Sequence, residues 1–309
     1  MFIMIRNMIA KRFNERTARM KLANTAAKNV FLLFALISVF TTIGIIFSLV
    51  INSTGFFSKV PLGEFLTGTQ WTPLFNDPHF GILPLVTGTL IITTGAALIS
   101  IPTGLCSAIY LSEYAKPNVR KVLKPFLEVL AGIPSIVYGY FALTSITPLL
   151  QSLIPQTEIF NAASGSIAVG IMTIPLVSSL SEDALRAVPD SLRHGAFALG
   201  STKLETSLRV VVPAAISGIS ASFVLAVSRA IGETMIVTIA TGARPNFTLN
   251  PLESVQTMTA FIVQASQGDN PHGTTGFYAL FAVGLVLFLV TLVMNFISHS
   301  IVQKYRKEY

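Results

Sequence analysis

Charge is scarce in this chain. Of 309 residues, 11% are Asp, Glu, Lys or Arg and 52% are hydrophobic, whereas soluble domains carry roughly 25% charged residues. A water-soluble protein of this composition would expose apolar patches large enough to aggregate, so that class is excluded. Cysteine is scarcer still. The single Cys106 rules out a disulfide within the chain and any cluster built on several thiolates. It lies in an apolar run and reads as a small core residue. The histidines His79, His194, His272 and His299 are far apart, and none forms an H-x-x-x-H or H-E-x-x-H pattern. Nothing therefore points to a metal. No glycine is followed by lysine, so the phosphate loop G-x-x-x-x-G-K-[ST] is absent and ATP hydrolysis by that route is excluded.

What is present is a series of long uncharged runs, with a mean hydropathy of +0.68. Six spans are predicted, at about 30–51, 81–111, 129–150, 162–180, 213–241 and 276–301. At about 1.5 Å per residue each can cross a hydrocarbon core of about 30 Å. The expected fold is an all-α integral membrane protein. It comprises a basic segment, 1–28, and one transmembrane domain, 29–309.

The charges give the orientation. All Lys and Arg residues except Lys59, Arg229 and Arg244 fall in 1–28, 112–128, 181–212 and 302–309. The positive-inside rule places these segments, and both termini, in the cytoplasm. The net charge of +7 is thereby a topology signal and not a nucleic-acid footprint. The first apolar run exceeds a signal-peptide core and lacks a small-x-small cleavage pattern, so it is expected to be an uncleaved anchor. Pro102, Pro134, Pro148 and Pro175 punctuate the spans, which suits a bent, packed bundle. No internal repeat is visible.

The cytoplasmic loop 181–212 is the most informative polar stretch. Pro189 stops the helix arriving from the fourth span, and Asp190 or Ser191 is expected to cap a new one. Leu192, Ala196 and Leu199 share one face of it. Gly200 stands where a left-handed terminator is wanted. Thr202 and Glu205 then form a capping box, and the next helix enters the membrane through Pro213. This pattern suits a helix that slots into a groove on another protein or one that lies on the membrane surface.

Ala196-Phe197-Ala198-Leu199-Gly200, nine residues, then Val210-Val211-Val212-Pro213 resembles the EAA loop of ABC importer permeases. Its first two positions depart, being His194 and Gly195. AIYLSEYA (108–115), AGIPSIVYGYFAL (131–143), ALRAVPDSLR before the loop and RAIGETM (229–235) are together similar to phosphate-importer permease subunits of the PstC type, over most of 80–302. The resemblance implies a type I, MetI-like permease fold in a bacterial inner membrane. It implies ATPase coupling through Leu192, Gly195, Ala196, Leu199, Gly200 and Pro213. It also implies a PstA-type partner permease, ATPase subunits that bind ATP and Mg in place of any cofactor in this chain, a soluble phosphate-binding protein outside, and inorganic phosphate as substrate. No nucleic-acid partner is expected.

The fifth predicted span alone carries charge. Arg229 is placed near the bilayer midplane, with Glu233 one helical turn further out on the same face. Charge there is expensive. The pair is either a structural ion pair or the lining of a substrate path, in which the guanidinium meets phosphate and Glu233 is its counter-ion. In the outer loop, Met258, Phe261, Ile262 and Val263 suggest a short interfacial helix. Rival readings are an ion-coupled transporter or channel, a permease for sulfate or molybdate, and a non-transporting scaffold.

Overall fold

The computed structural model describes residues 2–73, 75, 77–268 and 271–305. They divide into two compact units, Met1–Ile51 and Asn52–Tyr309. The first is occupied by helix α1 (Phe2–Phe57), which contains the predicted first span. Phe31, Phe34 and Phe40 on it are exposed, as suits lipid. The predicted basic tail residues Arg306 and Lys307 lie outside the described residues.

The second unit is also helical. A short α2 (Leu62–Thr67) precedes α3 (Leu83–Ile109), which ends in a π-helical turn at Tyr110–Tyr114. Then come α4 (Pro117–Gly132), α5 (Ser135–Phe141) and α6 (Thr147–Leu153), the last two joined by a π turn at Ala142–Ile146. Helix α7 (Ala162–Arg186) is followed by α8 (Asp190–Ala198) and α9 (Lys203–Thr206). A π turn at Ser207–Val211 leads through α10 (Val212–Ala214) into α11 (Ile216–Ile231). The chain closes with α12 (Met235–Ala240), α13 (Met258–Gln267) and α14 (Thr275–Tyr305).

Among the described residues, five helical stretches are long and apolar enough to cross a membrane, and there are six if the bent pair is counted as one span. Two predicted boundaries change. The third span begins at Ser135 and not near 129. Pro134 holds Ile133 extended, so residues 117–132 form the separate helix α4. The predicted continuous fifth span, 213–241, is in three pieces. Lys203–Ala214 and Ile216–Ile231 meet at 73°, next to Pro213, which cannot donate to the helix ladder. The helix stops again at Gly232, and α12 starts only at Met235.

Helices α3 and α7 pack closely along their length. A Cβ at Gly104 would lie 2.6 Å from Val177 Cβ, so only glycine permits this approach. The central core gathers Ile92, Ala96, Tyr138, Val169, Met172 and Ile236. Elsewhere in this unit Trp71 sits among Phe65, Phe80 and Phe261 in edge-to-face contacts. Met258 and Phe261 are buried in this cluster. Helix α13 is thus part of the packed bundle and not an interfacial helix, because its apolar face meets protein.

Candidate functional site

The loop between α7 and α11 follows local turn chemistry. Gly200 adopts φ +84°. Its N–H reaches the Phe197 carbonyl at 3.0 Å, and the Ser201 N–H reaches Ala196 at 3.1 Å, which together close a Schellman turn. Thr202 and Glu205 form the expected capping box. The backbone N–H and then the hydroxyl of Thr202 hold the Glu205 carboxyl below the ordinary glutamate range. Asp190 does not cap α8. Pro189 occupies the cap position, and the Asp190 carboxylate accepts from Arg193 at 3.2 Å instead.

The predicted coupling residues divide into two groups. Leu192 packs inward against the cluster of Leu185, Val188, Val211 and Ile219, and so fastens α8 to the bundle, while Ala196 on the same helix is buried. Gly195 and Gly200 have open space where a Cβ would stand, and Leu199 is 89% exposed. Leu199 turns away from the Leu192–Ala196 face because the helix has already ended there. Phe197, Leu204 and Leu208 are also exposed, giving the loop an outward surface of small and apolar groups. Pro213 is exposed just before the 73° bend.

Arg229 stands in the last turn of α11, where the helix dipole favours a cation. Among the described residues its one hydrogen-bond contact is a long one, 3.9 Å to the Met172 sulfur, a weak acceptor. It lines a cleft of about 750 Å³ between α4, α7 and α11. Lys124, Glu128, Glu182, Ser179 and Ser228 share that cleft.

Glu233 does not pair with Arg229; no ion pair between them is formed. The break at Gly232 removes the shared helix face. The Glu233 carboxylate accepts from the Ile236 N–H at 3.3 Å, and the Glu233 carbonyl accepts from Thr259 Oγ1 at 2.7 Å. Glu233 is 8% exposed and holds the broken backbone together. Irregular backbone at this depth is tolerated when protein groups satisfy it. Thr241 and Ser254 continue that service, donating to the Val255 and Thr241 carbonyls at 3.1 and 2.9 Å.

A second cluster has no counterpart in the sequence-based reading. Glu182 on α7 is fully buried, and receives Arg120 at 2.5 Å and Lys124 at 3.3 Å from α4 and Arg186 at 4.0 Å. Its signal in the sequence is only that an acid stands at the end of an apolar run.

Comparison with known proteins gives a consistent picture. Residues 100–307 match the family model described as the binding-protein-dependent transport system inner membrane component. The chain is 31% identical over 294 residues to the phosphate transport system permease protein PstC of Haemophilus influenzae, covering 88% of this chain and 90% of that protein. It is 35% identical over 239 residues to the probable ABC transporter permease protein YqgH of Bacillus subtilis, covering 76% and 77%. Among solved structures, a chain of a bacterial ABC transporter that imports the acidic polysaccharide alginate matches with TM-score 0.61 at 14% identity, over 88% of this chain and 96% of that one. A chain of the inward-facing MetNI methionine ABC transporter matches with TM-score 0.54 at 15% identity, over 74% and 95%. These two establish the fold as that of type I ABC importer permeases. This chain belongs to the family of binding-protein-dependent transport system inner membrane components, the multi-pass permease subunits of ABC importers.

Proposed function

We propose that the chain is the PstC-type permease subunit of an ATP-driven importer of inorganic phosphate. It does no chemistry on phosphate. A PstA-type permease supplies the other wall of the path. Both termini and the α8–α9 loop face the cytoplasm, where Gly195, Leu199 and Gly200 meet an ATPase subunit that binds ATP and Mg. A soluble phosphate-binding protein delivers substrate to the outer face. ATPase closure moves the loop and alternates access to the path.

The observation that carries this reading is Arg229. It is a guanidinium with no carboxylate partner among the described residues, opening into a cleft, in a chain that aligns along most of its length with phosphate permeases. A planar cation with free N–H groups is the natural partner of a phosphate oxygen. Its place at the end of α11 partly offsets the cost of charge within a membrane.

The test is uptake of labelled phosphate into vesicles that hold this chain, the partner permease and the ATPase, with binding protein outside and ATP inside. Arg229→Gln should lower uptake by about tenfold or more, the scale of one charge-assisted hydrogen bond. Arg229→Lys should retain part of it. Unchanged uptake by Arg229→Gln in an intact complex removes Arg229 from the path. Uptake of labelled sulfate or molybdate and not of phosphate by the same vesicles removes phosphate as the substrate.

A further inference from the structure

Arg193 on α8 and Glu113 in the π turn after α3 are 80 residues apart and meet in a two-point contact. Nε donates to Glu113 Oε2 at 3.2 Å, and one terminal nitrogen donates to Oε1 at 2.9 Å. Their side chains are only 14% and 8% exposed. The rest of the guanidinium is also engaged, donating to the Val188 carbonyl at 2.6 Å and to the Leu185 carbonyl at 2.9 Å. One side chain therefore ties α8 both to the end of α7 and to the end of α3. A second tie runs the same way, with Lys203 Nζ of α9 5.0 Å from the centre of the Tyr114 ring.

Helix α4 follows that π turn after two extended residues, Ala115 and Lys116. None of its residues is buried, so apolar packing within this chain does not fix it. On α7 it is held by Arg120 and Lys124 against Glu182. Its Lys124, Leu127, Glu128 and Ala131 form one wall of the cleft that contains Arg229.

We infer that Arg193 is a positioning residue for transport, which passes displacement of α8 through Glu113 to α4 and so moves one wall of the Arg229 cleft. The two-point contact resists both sliding and rotation. The two-residue link leaves α4 little freedom to lag behind the turn. Helix α4, held by charge and not by close packing, is the element that can shift against α7. The inference rests on the reading of α8 as the ATPase contact and of the cleft as the path.

The experiment uses the complete complex in vesicles, with Glu113→Gln, Arg193→Gln and the double variant. Each single variant should leave the yield of assembled complex and its basal ATP hydrolysis within about twofold. ATP consumed per phosphate delivered should rise by about tenfold, and the double variant should be no worse than either single, as expected for groups acting as a pair. A merely structural contact would lower yield, thermal stability and basal hydrolysis together and leave that ratio unchanged, which overturns the inference. Single effects that multiply in the double variant also overturn it. If Arg193→Gln does not assemble, Glu113→Gln decides by the same ratio, since it leaves the carbonyl contacts of Arg193 in place. Failure of the unsubstituted complex to couple ATP to phosphate uptake overturns the functional reading and this inference together.

Discussion

The Thr259 hydroxyl on α13 donates to the Glu233 carbonyl at 2.7 Å, so a helix from the connection between α12 and α14 closes the break after α11. This carbonyl lies at the end of α11, where no following turn of that helix supplies an N–H. Thr259→Val should leave it unsatisfied and cost about 1–3 kcal/mol. Thr259→Ser should keep the hydroxyl and most of the stability. Thermal unfolding of the purified complex distinguishes the two, and equal behaviour of Val and Ser would remove the hydrogen bond from the account.

Glu182 offers a second test. Its buried carboxylate gathers Arg120, Lys124 and Arg186. Glu182→Gln removes the charge that gathers them. The loss should fall below the roughly 3–5 kcal/mol of an uncompensated buried charge, because Arg120 and Lys124 keep 27% of their side chains exposed. Faster hydrogen exchange should appear in α4 before the rest of the bundle, because α4 buries nothing else within this chain. Uniform exchange across α3, α4 and α7 would contradict this.

The α3–α7 contact tolerates no side chain at Gly104, where an added Cβ meets Val177 Cβ at 2.6 Å. Gly104→Ala should cost about 1–3 kcal/mol by overpacking, despite the better helix propensity of alanine. Gly63→Ala is the control, because nothing lies within 4 Å of its added methyl. A Gly104→Ala complex as stable as the control would show that the two helices separate easily.

The capping box predicts a pH dependence. The Glu205 pKa is lowered from its ordinary value of 4.5 by the Thr202 N–H and hydroxyl. A carboxylate depressed in the folded state stabilises it above the unfolded pKa, and that contribution is lost as pH falls through the folded value. The amides at the start of α9 should therefore stay protected at neutral pH and open at acid pH. Glu205→Gln should abolish that pH step, and Thr202→Ala, which removes the hydroxyl and keeps the backbone N–H, should reduce it. A step of unchanged size in Thr202→Ala would place its origin elsewhere.

The α8–α9 loop was legible because its determinants are local. Gly200 takes positive φ at the end of a helix, and Thr202 and Glu205 satisfy each other across three residues. Both arrangements depend on side-chain chemistry within one turn of chain. Span number and the placement of the apolar runs were legible for a similar reason, since the cost of burying charge in lipid acts residue by residue.

The pairing of Arg229 with Glu233 was misread because it assumed a continuous helix. Four-residue spacing aligns two side chains only while the ladder is unbroken, and whether it breaks at Gly232 depends on the Thr259 hydroxyl and the Glu233 carboxylate satisfying the free backbone. Residue order alone determined a multi-span helical permease with a capped, glycine-turned loop between α7 and α11. The tertiary structure decided which charges meet: Glu113 with Arg193, Glu182 with Arg120 and Lys124, and Arg229 with an open cleft. Those meetings join residues far apart in the chain, and their geometry is set by how the helices pack, which periodicity does not encode.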